Sequence, residues 1–225
     1  MAGTVEICAG RPDRAELARL AGQVVHLADC DLAGADLSGL DMAGWRFQRC
    51  DLREARLIRT VLDGARFEGC KAGLADLRAA RLADAVLQHC DFNNAALGEA
   101  VLTGAQVTGC KLTGADLVKA GTIGMVLHET LLVSARLKGV TLRRAGLVGV
   151  DFSLADLSAC DFRDAVFEGC SLREATITGA RFEGADLRGA DLGGLSLGDA
   201  GRFKGATVSR RQAADLLAQL GLVVS

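Results

Sequence analysis

Residues 30–59, cut into fives, read CDLAG ADLSG LDMAG WRFQR CDLRE ARLIR, and that cut decides the fold. The third residue of each five is large and apolar: Leu32, Leu37, Met42, Phe47, Leu52 and Leu57. Followed outward, the same register runs from Leu27 to Leu197 without a slip. Of its 35 positions, all but Ala72 and Thr122 are Leu, Ile, Val, Met or Phe, so the pattern is a rule rather than a tendency. A second column lies two residues earlier and is small, with 19 Ala and seven Cys. Asp recurs between the two columns, and Gly recurs two residues after the large one.

A period of five is neither 3.6 nor 2, so neither an amphipathic helix nor a half-buried strand keeps these columns on one side. A chain that turns about a quarter circle every five residues does. Four such faces close a coil of 20 residues, with one large and one small side chain pointing inward per face. Successive coils then pair their backbones at the strand spacing of about 4.8 Å. Ala or Cys leaves room for Leu or Phe in a narrow interior, and Gly suits the corners. The predicted fold is an all-β solenoid, in which each coil buries its neighbours' apolar columns.

The composition agrees. The chain has 225 residues, 24% of them charged, with net charge −2, too balanced for a general nucleic-acid binder. Gly is 28, Pro 1, Tyr 0 and Trp 1, which a fixed alternation of small and large inward slots accounts for. No apolar run of about 18 residues predicts a membrane span. The start, MAGTVEICAGRPDR, lacks the basic and apolar regions of a signal peptide, so the chain reads as cytoplasmic.

Seven of the eight cysteines hold the small inward slot. Cys30, Cys50, Cys70, Cys90 and Cys110 stand 20 apart and stack on one face; Cys170 rejoins them and Cys160 lies opposite. These are read as small buried thiols rather than disulfides. No CxxC pair suggests zinc. His26, His89 and His128 fall at outward positions, and Leu132 stands where a second His would complete HExxH after His128-Glu129. There is no phosphate loop and no nucleophile elbow. With the interior filled, no catalytic residue, metal or cofactor is expected, and the chain is not read as an enzyme.

Some segments depart from the rule. In 121–134, GTIGMVLHETLLVS, Thr122 and Met125 are atypical inward residues, while Ile123, Val126, Leu131 and Val133 fall outward; this is a tolerated degenerate coil or an apolar contact girdle. Trp45 takes a small slot and reads as a plug near the N-terminal end. Residues 1–26 are an N-terminal cap or imperfect first coil; Leu17 is in register, Gly22 is not, and Asp13-x-x-Glu16 is able to cap a small helix instead. Residues 27–199 form the repeat. Residues 200–225 carry a capping box at Ser209–Gln212 and a short helix with the apolar stripe Ala213, Leu216, Leu217 and Leu220, followed by Leu222, Val223 and Val224. Such a tail either covers its own end or joins a second chain.

The unbroken A-D-L-x-x register resembles the pentapeptide-repeat family, and the resemblance implies a right-handed quadrilateral β-helix. The segment Gln212–Val224, QAADLLAQLGLVV, is in turn similar to the C-terminal helix and tail of the Qnr, MfpA and AlbG resistance proteins. That resemblance implies a homodimer through Ala213, Leu216, Leu217, Leu220, Leu222 and Val223. It also implies a partner, bacterial DNA gyrase and by extension topoisomerase IV, bound by imitating duplex DNA to inhibit the enzyme or shield it from quinolones or other poisons. Neither nucleic acid nor membrane is an expected partner. The alternative is a β-helical scaffold with no topoisomerase role. Some Qnr proteins carry loops that interrupt the helix; here the register never breaks from 27 to 197, so a loop would have to be a multiple of five residues, and none is seen.

Charge placement bears on this. Residues 26–150 hold 14 acidic and 15 basic groups, net +1, with Arg46, Arg49, Arg53, Arg56, Arg59 and Arg66 making the N-terminal part basic. Residues 151–199 hold 10 acidic and 4 basic groups, net −6, which places an acidic stretch at the joined ends of a dimer. The expected partner-binding acidic face is Asp151, Asp156, Asp161, Asp164, Glu168, Glu174, Glu183, Asp186 and Asp191.

Overall fold

The computed structural model describes residues 4–195, 200–218 and 221–222. Ten strands form one parallel sheet in chain order, each hydrogen-bonded to the next. They are β1 (Val5–Cys8), β2 (Val25–Ala28), β3 (Arg46–Gln48), β4 (Arg66–Glu68), β5 (Val86–Gln88), β6 (Gln106–Thr108), β7 (Val126–His128), β8 (Gly146–Val148), β9 (Val166–Ser171) and β10 (Asp186–Asp191). Each supplies the same face of successive coils, so Phe47 pairs with Phe67 and Phe67 with Leu87. The other three faces pair through single bridges at the same offset, such as Asp31 with Asp51, Asp36 with Arg56 and Asp41 with Val61.

The corners explain the Gly and Asp slots. On the three bridge faces the N–H of the small residue donates to the carbonyl of the large residue three earlier, as Ala35 does to Leu32 at 3.0 Å. The residue before it must be left-handed, as in a type II turn; Gly34 sits at φ +65° and Leu154 at +61°. Asp accepts from the backbone N–H two residues on, Asp31 from Ala33 at 3.0 Å and Asp156 from Ser158 at 3.0 Å. The recurrent Asp is therefore a turn residue first.

The corner after the strand face lacks that turn bond, and there stand Cys30, Cys50, Cys70, Cys90, Cys110 and Cys170. The Cys50 thiol donates to the Leu27 carbonyl at 3.3 Å and the Cys70 thiol to the Phe47 carbonyl at 3.3 Å. Sulfur also accepts, from Cys70 N–H at Cys90 Sγ, 3.3 Å, and from Cys90 N–H at Cys110 Sγ, 3.4 Å. Thr130 takes the same place in its coil, donating to Val107 O at 3.2 Å. A small side chain that both gives and receives satisfies backbone groups that the tight interior shuts off from water. All eight cysteines are free thiols.

The core is the two inward columns, with Phe47 and Phe67 stacked at 4.6 Å and Phe162 and Phe182 at 5.1 Å. Trp45 is fully buried beside Phe47, but as an interior residue rather than an end plug, since the β1 and β2 coils still stack beyond it. At the N-terminus both readings hold in part. Strand β1 makes a true first coil, with Ile7 opposite Leu27 and Pro12 and Leu17 buried. One side of that coil is nevertheless helix α1 (Arg14–Ala18), closed by a reciprocal Asp13–Glu16 capping box.

Beyond Leu192 the coil goes further than the five-residue register. Phe182 N–H donates to Arg202 O, 20 residues on, whereas Phe162 N–H donates to Arg181 O, 19 residues on. One extra residue shifts the register, so Phe203, in a 3-10 turn (Ala200–Phe203), stacks on Phe182 at 4.9 Å with ring planes 2° apart. Val208 packs on the same core.

From the Leu27 coil onward the ladder has one seam among the described residues. Lys119, Thr122 and Gly124 do not donate to the next coil, and Thr141 and Gly146 do not donate back, although equivalent residues elsewhere do. Thr122 Oγ1 instead donates to Thr141 O at 2.7 Å. The cause is local. A hydroxyl in a large inward slot must find an acceptor, and the facing carbonyl is at hand. Met125 meanwhile fills a slot that is Ala in the coils on either side, Ala105 and Ala145. No loop leaves the rod there.

Candidate partner-binding surface

The nine acidic residues expected to form one face are spread around the rod. Asp151, Glu174 and Asp191 lie on the side that follows the strand face, Asp156 on the next, Asp161, Asp164 and Glu183 on the fourth, and Glu168 and Asp186 on the strand face itself. The C-terminal third is thus an acidic band rather than a face, because the repeat distributes its Asp slot over every side.

Much of that charge is answered locally. Asp161 pairs with Arg163 at 2.5 Å and Asp186 with Arg188 at 2.6 Å. Asp164 lies 3.4 Å from Arg143 and 3.8 Å from Arg144. Asp191 meets Arg173, and Glu183 meets Arg181, each at 3.2 Å. The guanidinium hydrogen bonds hold the Asp161 carboxyl below its ordinary range and bring Asp186 to about 2. Asp151, Asp156, Glu168 and Glu174 make no ion pair among the described residues. Asp151 accepts from Ser153, and hydrogen bonds from Ser158, with Lys138 and Arg136 nearby, lower the Asp156 carboxyl. The basic N-terminal part is compensated in the same way. Arg49 pairs with Asp29 at 2.6 Å and Arg53 with Asp51 at 2.5 Å, and Arg81 pairs with Asp63.

The C-terminal end is built by α2 (Arg210–Ala218). Its expected capping box is present: Gln212 N–H donates to Ser209 Oγ at 3.3 Å, and Ser209 N–H to Gln212 Oε1 at 2.6 Å. The same Gln212 side chain donates through Nε2 to Leu187 O and Ala190 O, both at 2.7 Å. One residue thus starts the helix and ties it to the last strand. Leu216 is buried against the chain's own core and Ala213 is half-buried. Leu217 and Leu222 are exposed, at 37% and 54%. Leu220 and Val223, expected in the same interface, lie outside the described residues, as does Asp199. Of the tail's two possible roles, Leu216 serves the first, and Leu217 and Leu222 remain available for the second.

The pentapeptide-repeat family model matches residues 46–78, 80–117, 126–158 and 155–194, more than half of the chain. The chain belongs to the pentapeptide-repeat family. The matched segments leave out 118–125, where the ladder of this pentapeptide-repeat protein opens. Among solved structures, a trypsin-treated variant of QnrB1, a plasmid-mediated fluoroquinolone resistance protein, superposes with TM-score 0.62 at 22% identity, covering 99% of this chain and 100% of that one. Full-length QnrB1 gives 0.60 at 22% identity, over 98% and 100% of the two chains. HetL, a pentapeptide-repeat protein involved in heterocyst differentiation regulation, gives 0.38 at 25% identity. No curated protein sequence matches the chain. No helix among the described residues is long and apolar enough to cross a membrane.

Proposed function

We propose that this pentapeptide-repeat protein is a non-enzymatic rod that binds a bacterial type II topoisomerase, gyrase first, at the surface that otherwise holds duplex DNA. The observation that carries the reading is end-to-end correspondence with a fluoroquinolone resistance protein, both chains being covered almost entirely. Ten stacked strands span about 43 Å at strand spacing, so a pair joined through α2 exceeds 80 Å. Leu217 and Leu222 are the apolar contacts for that pairing.

The resemblance to DNA is one of shape and length more than charge density. Duplex DNA carries a charge per about 1.7 Å of axis, and the acidic band offers far fewer unpaired carboxylates than that. Binding then rests on Asp151, Asp156, Glu168 and Glu174, which make no direct ion pair among the described residues.

Supercoiling by purified gyrase, with and without a fluoroquinolone, tests the proposal. Inhibition of supercoiling, or loss of drug-stabilised cleavage, is expected at micromolar protein. Absence of both overturns the reading in favour of a scaffold. Reversal at Asp156 and Glu168 to Lys is expected to weaken the effect about tenfold or more, and reversal at the paired Asp161 much less. Equal losses at all three would remove the charge mechanism.

A further inference from the structure

The seam between the Thr122 coil and the next one opens a groove of about 440 Å³, within the usual range for small-molecule sites. Its walls are Ile123, Met125, Val126, Leu142 and Ala145, with Arg143 and Arg144 at the lip of the upper coil. No carboxylate lines it among the described residues. Ile123 is 70% and Val126 48% exposed, an apolar lip that the rest of the repeat does not require. The backbone N–H groups of Thr122, Gly124, Thr141 and Gly146 border it without the ladder bonds their equivalents make.

We propose that this groove binds an organic anion with an apolar body, of the class of medium-chain carboxylates. The apolar walls take the hydrocarbon, and Arg143 and Arg144 take the carboxylate. Among the described residues both arginines have Asp164, on the coil beyond, as their ion-pair partner, at 3.4 and 3.8 Å, so two cations share one anion there. A carboxylate arriving from the groove completes that balance, and guanidinium–carboxylate hydrogen bonds are among the stronger polar contacts. An inserted peptide strand fits less well. It needs about 4.8 Å from each neighbouring backbone, whereas the 2.7 Å bond from Thr122 Oγ1 to Thr141 O still ties the two coils together. A hydrocarbon chain lies along the outer side of that bond without breaking it.

Isothermal titration of the full chain with decanoate, acetate and decyltrimethylammonium tests the assignment. Saturable binding of decanoate is expected, with acetate and the cation at least about tenfold weaker, because each lacks one of the two recognised parts. Arg143→Gln with Arg144→Gln is expected to weaken decanoate about tenfold while leaving the circular dichroism unchanged. Thr122→Leu with Met125→Ala restores the repeat, closes the seam and is expected to abolish binding. No decanoate binding, equal binding of the cation, or unchanged affinity in the arginine variant overturns the proposal, as does full affinity in a folded seam-closed variant.

Discussion

The Thr122 hydroxyl lies 2.7 Å from the Thr141 carbonyl, the acceptor that the backbone N–H of Thr122 would reach if this coil matched its neighbours. Thr60 and Thr130 are just as buried, yet each donates across to an inward carbonyl, Leu37 O and Val107 O, and disturbs nothing. The difference is the slot. Thr in the small column replaces Ala or Cys; Thr122 replaces Leu and leaves a shortfall that Met125 offsets from the next face.

That compensation predicts coupling. Thr122→Leu alone crowds Met125, and Met125→Ala alone leaves a cavity, each destabilising by about 1–3 kcal/mol. The double variant restores the repeat and is expected to exceed the sum of the two by at least about 1 kcal/mol. Denaturant melts of the four proteins read this directly, and additivity would refute the compensation.

Thiol chemistry follows from the cysteine column. Cys8 alone is exposed, while burial pushes the Cys160 thiol up to about 12 and raises Cys170 as well. A thiolate reagent at neutral pH is expected to titrate one thiol per native chain and all eight in denaturant. Cys8→Ser should abolish the native reaction.

Acid sensitivity has a defined sign. Hydrogen bonds from Arg188 hold the Asp186 carboxyl at about 2 in the folded chain, below its ordinary 3.8. The stabilisation is therefore fully present above 3.8 and is lost as pH falls through about 2. Arg188→Gln is expected to return the Asp186 titration towards 3.8, as carboxyl carbon shifts would record. An unmoved midpoint would assign the shift to the backbone hydrogen bond instead.

The two leucines of α2 separate folding from association. Leu216→Asp places a charge against the core and is expected to lower the melting temperature. Leu217→Asp with Leu222→Asp touches only exposed side chains and is expected to convert dimer to monomer in sedimentation, with little change in melting. A dimer that survives the second pair would remove α2 from the interface.

Much of this was readable because a five-residue rule leaves little freedom. The large column, the cysteine stack, buried Trp45 and the Ser209–Gln212 cap follow from side-chain size and spacing alone. The turn at Phe203 escaped because one inserted residue takes it out of register, although the eighth Phe was a signal. The local pairing of the acidic band does not show in a sum of charges along the chain. The motif Asp-x-Arg at 161–163 and 186–188 places both groups on one turn and could have shown it. The docking role of Gln212 has no sequence signature, since it depends on where the last strand ends.

The seam also has a consequence for how the rod comes apart. In a solenoid each coil contacts only its neighbours, so cooperativity passes from coil to coil through shared interfaces. Five unmade ladder bonds in sequence form the weakest such interface between Leu27 and Leu195. The rod is therefore expected to part there first, leaving one block capped by α1 and another capped by Phe203 and α2. Two side chains thus place the expected point of parting in mid-repeat, where the sequence rule itself does not break.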